Sequence, residues 1–188
     1  MGATILSKQL EEFVNTAVSA VRDGHGQSVL DQLPVPAYTT DTEGNLTYWN
    51  RACVDFAGRD PQLGHDRWCV TWQLFTTSGE RLLHEDCPMA ETIKTRKQVR
   101  GKVAIAMRPD GSRRAFVPYP TPLFDEAEVF MGAVNLLVDV TLEQSVELAE
   151  QATRCSRLAN ATNDREASEI LAGMARRYAE TAATLKTA

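Results

Sequence analysis

The pattern of apolar and polar residues predicts three consecutive β-strands between Gly101 and Thr141. Side chains of a strand alternate between its two faces, and this alternation recurs in segments near 101–107, 113–123 and 128–139. In the third segment both faces are largely apolar, so we expect both sides of the sheet to be covered. The second segment carries Pro118, Pro120 and Pro122, whose missing N–H groups lie on the same side. Its far end should therefore pair with only one neighbouring strand.

Apolar residues at helical spacing predict helices near both ends of the chain. In residues 4–22 one face carries the apolar residues Leu6, Leu10, Phe13, Val14, Ala17 and Val21. We expect this leading helix to lie over one face of the sheet, and the same residues are a candidate dimer contact. Residues 142–161 and 165–185 predict two trailing helices with alanine-rich faces. These either pack on their own domain or form an interaction surface, and close approach at alanines favours the surface.

A β-hairpin and a short helix are predicted between the leading helix and the three strands. The hairpin strands are expected near 37–41 and 46–49, joined by a turn around Gly44. Asn50 then stands where it can cap a helix of residues 51–57, which Gly58 would end.

Composition limits the classes of function. The chain has 188 residues, a net charge of −5 and 43% hydrophobic residues, which is typical of one soluble domain with appendages. We expect no membrane span, because no apolar run reaches about 18 residues, and no signal peptide. The acidic balance argues against a nucleic-acid partner. Without a secretory signal, the four cysteines predict reduced thiols in a cytoplasmic protein.

Several motifs in order resemble those of PAS domains. They are L-P-x-P-x-Y-x-x-D from Leu33, E-G-N-L-x-Y-W-N from Glu43, R-P-D-G-S from Arg108, and a last strand ending in D-V-T at Asp139. The resemblance implies an α+β fold in which a five-stranded antiparallel sheet cups short flanking helices, with the last strand at its centre. It covers residues 29–144, leaving residues 1–28 as an N-terminal amphipathic helix and 145–188 as a C-terminal helical extension. The phrases H-x-x-C-P-M-A and P-Y-P-T-P-L also resemble sensory PAS modules of bacterial signalling proteins.

The resemblance implies that a ligand would be held near residues 59–100, where aromatic residues are dense in this chain. We therefore expect a pocket between the concave face of the sheet and the helices of residues 51–97. Its predicted wall consists of Tyr38, Tyr48, Phe56, Trp68, Trp72, Met89, Ile93, Ile105, Tyr119 and Asn135. Asn135 is polar in the apolar centre of the last strand, so it should orient a ligand or satisfy a backbone group.

No metal site is expected, although four residues have the side chains that bind zinc: His65, Cys69, His84 and Cys87. The simpler interpretation is that His84 helps to organise a helix start, while the cysteines are small buried apolar residues. Haem is an alternative cofactor, bound through His65, His84 or a cysteine. In some PAS sensors a histidine in the helix equivalent to residues 88–96 binds haem, but that segment contains none here. In light-sensing flavin PAS domains the reactive cysteine lies in an asparagine-cysteine-arginine context. No cysteine of this chain does, so the resemblance argues against flavin adduct chemistry.

The sequence favours a non-enzymatic sensory module. It contains no nucleophile elbow, P-loop or dinucleotide fingerprint, and no histidine follows Thr141 to accept a phosphoryl group. We expect the module to bind a small ligand or a signalling protein and to pass the signal through Asp139 and Thr141 to the trailing helices. The alternatives are a haem-binding sensor of gas or redox state, and a structural interaction module with a self-filled core. We also expect a homodimer that uses the leading helix, the trailing helices or both.

Overall fold

The computed structural model describes residues 2–186, and side chains from residue 8 to residue 185. Its α-helices are α1 (Gly2–Arg22), α2 (Gly26–Leu30), α3 (Arg51–Ala57), α4 (Pro88–Thr95), α5 (Thr141–Ala161) and α6 (Arg165–Lys186). Its strands are β1 (Ala37–Thr40), β2 (Leu46–Trp49), β3 (Gln73–Phe75), β4 (Arg81–Leu82), β5 (Ala104–Met107), β6 (Arg113–Pro118), β7 (Thr121–Phe124) and β8 (Phe130–Asp139). The predicted apolar residue Leu6 lies outside the described side chains. None of the described helices is both long and apolar enough to span a bilayer.

The strands form one antiparallel sheet in the order β2-β1-β8-β6-β5-β3-β4. β8 lies at the centre, between β1 on one side and β6 with β7 on the other. This confirms the central position that the resemblance to PAS domains implied for the last strand. The hairpin of β3 and β4 was not predicted, and it extends the five expected strands beyond the β5 edge.

The second of the three predicted strands is interrupted. β6 ends at Pro118 and β7 begins at Thr121, and both segments pair with β8. β5 pairs with β6 but not with β7 in the described sheet, so β7 has one neighbouring strand. The shared parity of the prolines predicted this one-sided pairing, because a proline cannot donate to a ladder.

Both faces of the sheet are covered, as the two apolar faces of β8 require. The concave inner face packs against α3 and α4 through Phe56 and Met89. On the outer face, α1 covers the half around β7 and β8 with Leu10 and Val14. The other half of the outer face, around β5 and β6, is covered by the hairpin of α5 and α6. The core residues of this contact are Ile105, Ala115, Leu148, Ala182 and Leu185.

The buried side chain of Asn50 fixes α3 against the sheet. Its Oδ1 accepts hydrogen bonds from the N–H groups of Cys53 at 3.2 Å and Ala37 at 3.1 Å. Its Nδ2 donates to the carbonyls of Leu30 at 2.8 Å and Val35 at 2.9 Å. The predicted helix cap is confirmed, and the same amide also ties the segment before β1 to the sheet.

The trailing helices pack on their own domain. Three residues connect α5 to α6, and Asp164 caps α6 by accepting from the N–H groups of Glu166 at 2.9 Å and Ala167 at 3.1 Å. Leu148 is 1% exposed and Leu185 is 2% exposed, both against the sheet. Hairpin packing was one of the two alternatives for these helices, and it leaves the opposite side of α5 exposed.

Candidate functional site

Six of the ten predicted wall residues meet on the inner face of the sheet: Tyr38, Phe56, Trp68, Met89, Ile93 and Asn135. They come from β1, α3, the loop before β3, α4 and β8. Tyr38, Met89 and Asn135 are at most 2% exposed. The sequence therefore located this group of side chains, while a ligand-binding role for them stays a prediction.

Tyr48 and Ile105 face the opposite side of the sheet, so their predicted placement is wrong. A β-bulge shifts the register between Thr39 and Thr40. Because of this shift, Leu46 points to the inner face while Tyr48 packs on the outer face. In β5 the alternation is regular, but its small alanines point inward and Ile105 lies under α5 and α6.

The predicted placement of Tyr119 and Trp72 is also wrong. Tyr119 lies in the break between β6 and β7, and it packs on the outer face with α1. The alternation continues through the break, with Phe116 on the inner face and Ala115 and Leu123 on the outer face, so Tyr119 falls on the outer face with the other odd-numbered residues. Trp72 precedes β3 near the sheet edge and is 42% exposed. Aromatic density in the sequence therefore marked this region without telling buried rings from exposed ones.

The interior is filled by its own side chains. Tyr38, Phe116, Leu74 and Met89 are among the largest fully buried residues. The rings of Phe56 and Phe116 meet edge to face, with centroids 5.4 Å apart. A groove of about 740 Å³ lies elsewhere, between α5 and α6. A ligand in the interior would have to displace packed side chains.

A hydrogen-bonded network crosses the interior. Asn135 Nδ2 donates to Tyr38 Oη at 2.9 Å, and Tyr38 Oη donates to the carbonyl of Trp68 at 3.0 Å. Asn135 Oδ1 accepts from the N–H of Tyr119 at 2.9 Å. Of the two roles expected for Asn135, the amide thus satisfies a backbone group. The network joins β8, β1, the Trp68 loop and the break between β6 and β7.

Trp68 is held in a strained backbone conformation. Its φ of 69° lies in the left-handed region, which bulky residues rarely adopt. The N–H of Trp68 donates to the carbonyl of Gly44 at 2.7 Å, and the Arg67 guanidinium lies 4.6 Å from the indole centroid. A Cβ on Gly44 would come within 2.1 Å of the indole ring. The turn after β1 therefore holds Trp68 in place, and the carbonyl of Trp68 accepts the hydrogen bond from the Tyr38 hydroxyl.

The predicted signal exit forms a junction at the end of β8. Asp139 Oδ2 pairs with Arg114 on β6 at 3.0 Å, and Asp139 Oδ1 accepts from the N–H of Thr141 at 2.9 Å. Thr141 Oγ1 donates to Asp139 Oδ1 at 2.5 Å and accepts from the N–H of Ala115 at 3.1 Å. Thr141 is the first residue of α5. These bonds attach the start of α5 to β6 as well as to β8.

A family model described as a PAS fold matches residues 30–145. The chain belongs to the PAS family. The inner-face cluster is therefore the core of a PAS domain, and α1, α5 and α6 lie largely outside the matched residues. A comparison with curated proteins finds no match.

Several solved structures resemble this chain at low sequence identity. An RNA-binding Light-Oxygen-Voltage receptor is 20% identical with a TM-score of 0.53, covering 71% of this chain and 38% of that chain. The LOV protein of Rhodobacter sphaeroides is 13% identical with a TM-score of 0.46, covering 97% and 98% of the two chains. The PAS domain of the fruit-fly ELK potassium channel is 10% identical with a TM-score of 0.49, covering 60% and 92%. At 20% identity, the similarity to the RNA-binding receptor concerns the fold alone.

Three buried thiols of the PAS core surround the interior network. Cys53 lies in α3, Cys69 follows Trp68, and Cys87 precedes α4, each as a free thiol. Burial raises the pKa of Cys87 to about 12 and raises the pKa of Cys53 and Cys69 as well. Thiols held in the protonated form are poor nucleophiles and poor metal ligands. We therefore assign them a packing role in the resting domain.

The four zinc-type residues do not assemble into a site. Within residues 2–186, no group of three or more His, Cys, Asp or Glu side chains is arranged to hold a metal ion. His65 is exposed, while His84 Nε2 lies 3.4 Å from Thr71 Oγ1. Burial, followed by the nearby charge of Arg81, lowers the pKa of His84. Binding of haem through either histidine stays a prediction.

Sequence reasoning missed two participants in the site. Arg114 was not singled out, although its partner Asp139 was. Cys53 was also missed as a neighbour of the network, and its thiol donates to the carbonyl of Ala37 at 3.3 Å. Arg114 could have been identified from its position, because it lies on the strand that was expected to neighbour the last strand, which carries Asp139. No local signal placed Cys53, because its surroundings depend on how α3 packs.

Proposed function

We propose that this PAS domain is a non-enzymatic regulatory module that relays a change in its packed interior to the α5–α6 hairpin. The observation that carries the proposal is the Asp139 junction. There, one carboxylate pairs with β6 and binds the first residue of α5. A displacement of β8 must therefore be accommodated at the start of the hairpin.

β8 provides the connection between the interior and the junction. Asn135 and Asp139 stand four residues apart on this strand, so their side chains lie on the same face. Asn135 is hydrogen-bonded to Tyr38, and Tyr38 is hydrogen-bonded to Trp68 in the loop before β3, so the position of Asn135 depends on both. A rearrangement of that loop would change one buried and one partly buried hydrogen bond, which favours two discrete arrangements over a continuous series.

The packed core favours a protein partner as the source of the signal. A partner that contacts the Trp68 loop from outside can shift the network without entering the core. Trp68 is half-buried and Arg67 is exposed, so both are within reach of such a partner. A small ligand would first have to displace Tyr38, Met89 or Phe116. Native mass spectrometry of the purified chain separates these inputs, since a resident ligand or haem adds a defined mass.

Removing one hydroxyl tests the relay. Tyr38→Phe leaves Asn135 Nδ2 and the Trp68 carbonyl without their shared partner, while the ring still fills its space. We expect the first turns of α5 to open more readily, with amide exchange faster by roughly fivefold. Hydrogen exchange resolved by residue or short peptide measures this opening.

Tyr48→Phe is the matched control. It also removes one tyrosine hydroxyl, which donates to Asp31 Oδ1 at 2.5 Å on the outer face. We expect α5 exchange to stay at the wild-type rate in this variant. If both variants change α5 equally, or if neither does, the interior is not connected to the hairpin.

A further inference from the structure

Two arginines near the β4 edge of the sheet converge on one phenylalanine ring. Phe75 lies on β3, and the guanidinium carbon of Arg81 on β4 is 5.9 Å from the centroid of its ring. Arg113 reaches the same ring from β6, with its guanidinium carbon 4.5 Å from the centroid. Both guanidinium groups are therefore held close to one point. We call these three residues the Phe75 cluster.

The register of the sheet places the Phe75 cluster on the outer face. Arg81 is the cross-strand partner of Phe75, and residues paired in this way share a face. Phe75 packs beside the α5–α6 hairpin, against the core group that contains Ala115. Arg113 stands two residues before Ala115 on β6, so it lies on the same face. Arg81 is exposed while Arg113 and Phe75 are half-buried, so a ligand can reach the cluster from solvent.

Neither arginine of the Phe75 cluster has an acidic partner. Acidic residues outnumber basic ones in this chain by 25 to 20, yet within the described residues Arg81 and Arg113 form no ion pair. The acidic residues close to them in sequence do not neutralise them. Glu80 forms no ion pair either, and Asp110 Oδ1 accepts from the N–H of Ser112 at 2.9 Å and from its hydroxyl at 2.7 Å.

Most N–H donors of the two arginines are available to a ligand. Arg81 Nη1 donates to Gln73 Oε1 at 2.8 Å, whereas the Arg113 guanidinium makes the ring contact and, among the described residues, no hydrogen bond. A guanidinium carries its donors in a planar fork that matches the oxygens of a phosphate or a carboxylate. Contact with an aromatic ring restrains this fork without using its donors. The cluster therefore presents two positively charged forks that are partly ordered before a ligand binds.

We propose that the Phe75 cluster binds a phosphate dianion. Two guanidinium groups carry two positive charges, and a phosphomonoester carries about −1.5 to −2 at pH 7. A carboxylate would balance only one of these charges, and a single fork can satisfy both of its oxygens. The dianion can be free phosphate or a phosphoryl group on a larger molecule, because both present the same oxygens.

This site is separate from the relay proposed above. None of its three residues belongs to the interior network or to the Asp139 junction. Anion binding is measured with an added ligand, whereas the relay is measured by hydrogen exchange in the chain alone. Either proposal can therefore fail while the other holds.

Titration of the full chain with inorganic phosphate and with phenyl phosphate tests the proposal. Isothermal titration calorimetry at low salt should find one site per chain. Arg81→Gln or Arg113→Gln removes one charged donor group and should weaken the binding of both probes by roughly tenfold or more. Arg113→Lys keeps the charge but loses the planar fork, so it should recover only part of this loss. Circular dichroism checks that each variant keeps its fold.

The two probes distinguish the sources of the dianion. Tighter binding of phenyl phosphate supports a phosphoryl group on a larger molecule as the ligand, because the site then also contacts the organic part. Equal or weaker binding of phenyl phosphate supports free phosphate.

Arg51→Gln is the matched control. Arg51 is an exposed arginine on α3 that pairs with Asp55 at 3.2 Å, so its loss should leave the affinity for phosphate unchanged. The proposal is overturned if neither probe shows saturable binding up to about 10 mM. Binding that Arg81→Gln and Arg113→Gln leave intact, or that Arg51→Gln weakens as much as they do, overturns it equally. Acetate bound as tightly as phosphate would also overturn it, because one negative charge would then suffice.

Discussion

Leu148→Asp should release the α5–α6 hairpin from the sheet. Leu148 is 1% exposed and packs with Ile105 and Ala115 beneath the hairpin. An unpaired carboxylate at this position would cost about 3–5 kcal/mol. Opening the hairpin returns the carboxylate to water, so we expect this response before the PAS core unfolds. Hydrogen exchange should show lost protection along α5 and α6, while β1 and β8 keep theirs.

Leu158→Asp controls for the charge itself. Leu158 lies on the same helix but is 51% exposed, so its carboxylate would remain solvated. We expect wild-type protection throughout the hairpin in this variant. Hairpin protection that survives Leu148→Asp would mean that the contact with the sheet does not hold α5 and α6.

Raising the pH from 8 to 10 should lower the free energy of unfolding by roughly 5 kcal/mol. Burial raises the pKa of Cys53, Cys69 and Cys87, to about 12 for Cys87. In the unfolded chain these thiols ionise near pH 8.5, whereas the folded chain keeps their protons. The unfolded state then binds fewer protons, so stability falls as pH rises. The loss begins near the unfolded pKa and ends at the folded pKa.

Cys87→Ala isolates the thiol contribution. Denaturant unfolding at pH 8 and at pH 10 gives the loss of unfolding free energy between the two pH values, for the wild type and for the variant. Without the Cys87 thiol, the loss should shrink by roughly 2 kcal/mol, whatever the variant costs at pH 8. Other alkaline effects are common to both chains and cancel in the comparison. An alkaline loss of equal size in both chains would show that buried thiols do not set this dependence.

The periodic parts of the fold could be predicted from the sequence. The strand alternation, the helical stripe of α1 and the Asn50 cap each depend on residues close together in the chain. The proline parity of residues 118–122 even predicted the one-sided pairing of β7. The β3–β4 hairpin was missed, because its strands have only three and two residues and no alternation to detect.

The candidate site was predicted less completely, because the face of a strand residue depends on register. A bulge in the first hairpin sent Tyr48 to the outer face. Tyr119 also lies on the outer face, where the alternation that includes Ala115 and Leu123 places it. The packing of the interior could not be predicted either. Whether Tyr38, Met89 and Phe116 enclose a cavity or fill it depends on distances between elements remote in sequence.

A double-mutant cycle on hairpin opening tests the relay most directly. The cycle combines Tyr38→Phe in the interior with Asp139→Ala at the junction, and native-state hydrogen exchange gives the opening free energy of α5. The two side chains share no hydrogen-bond partner, so independent sites would add. The relay predicts an interaction free energy of about 1 kcal/mol between the two substitutions, because the loss of the Tyr38 hydroxyl would reach α5 through the Asp139 junction. Effects that add to within about 0.3 kcal/mol would contradict it.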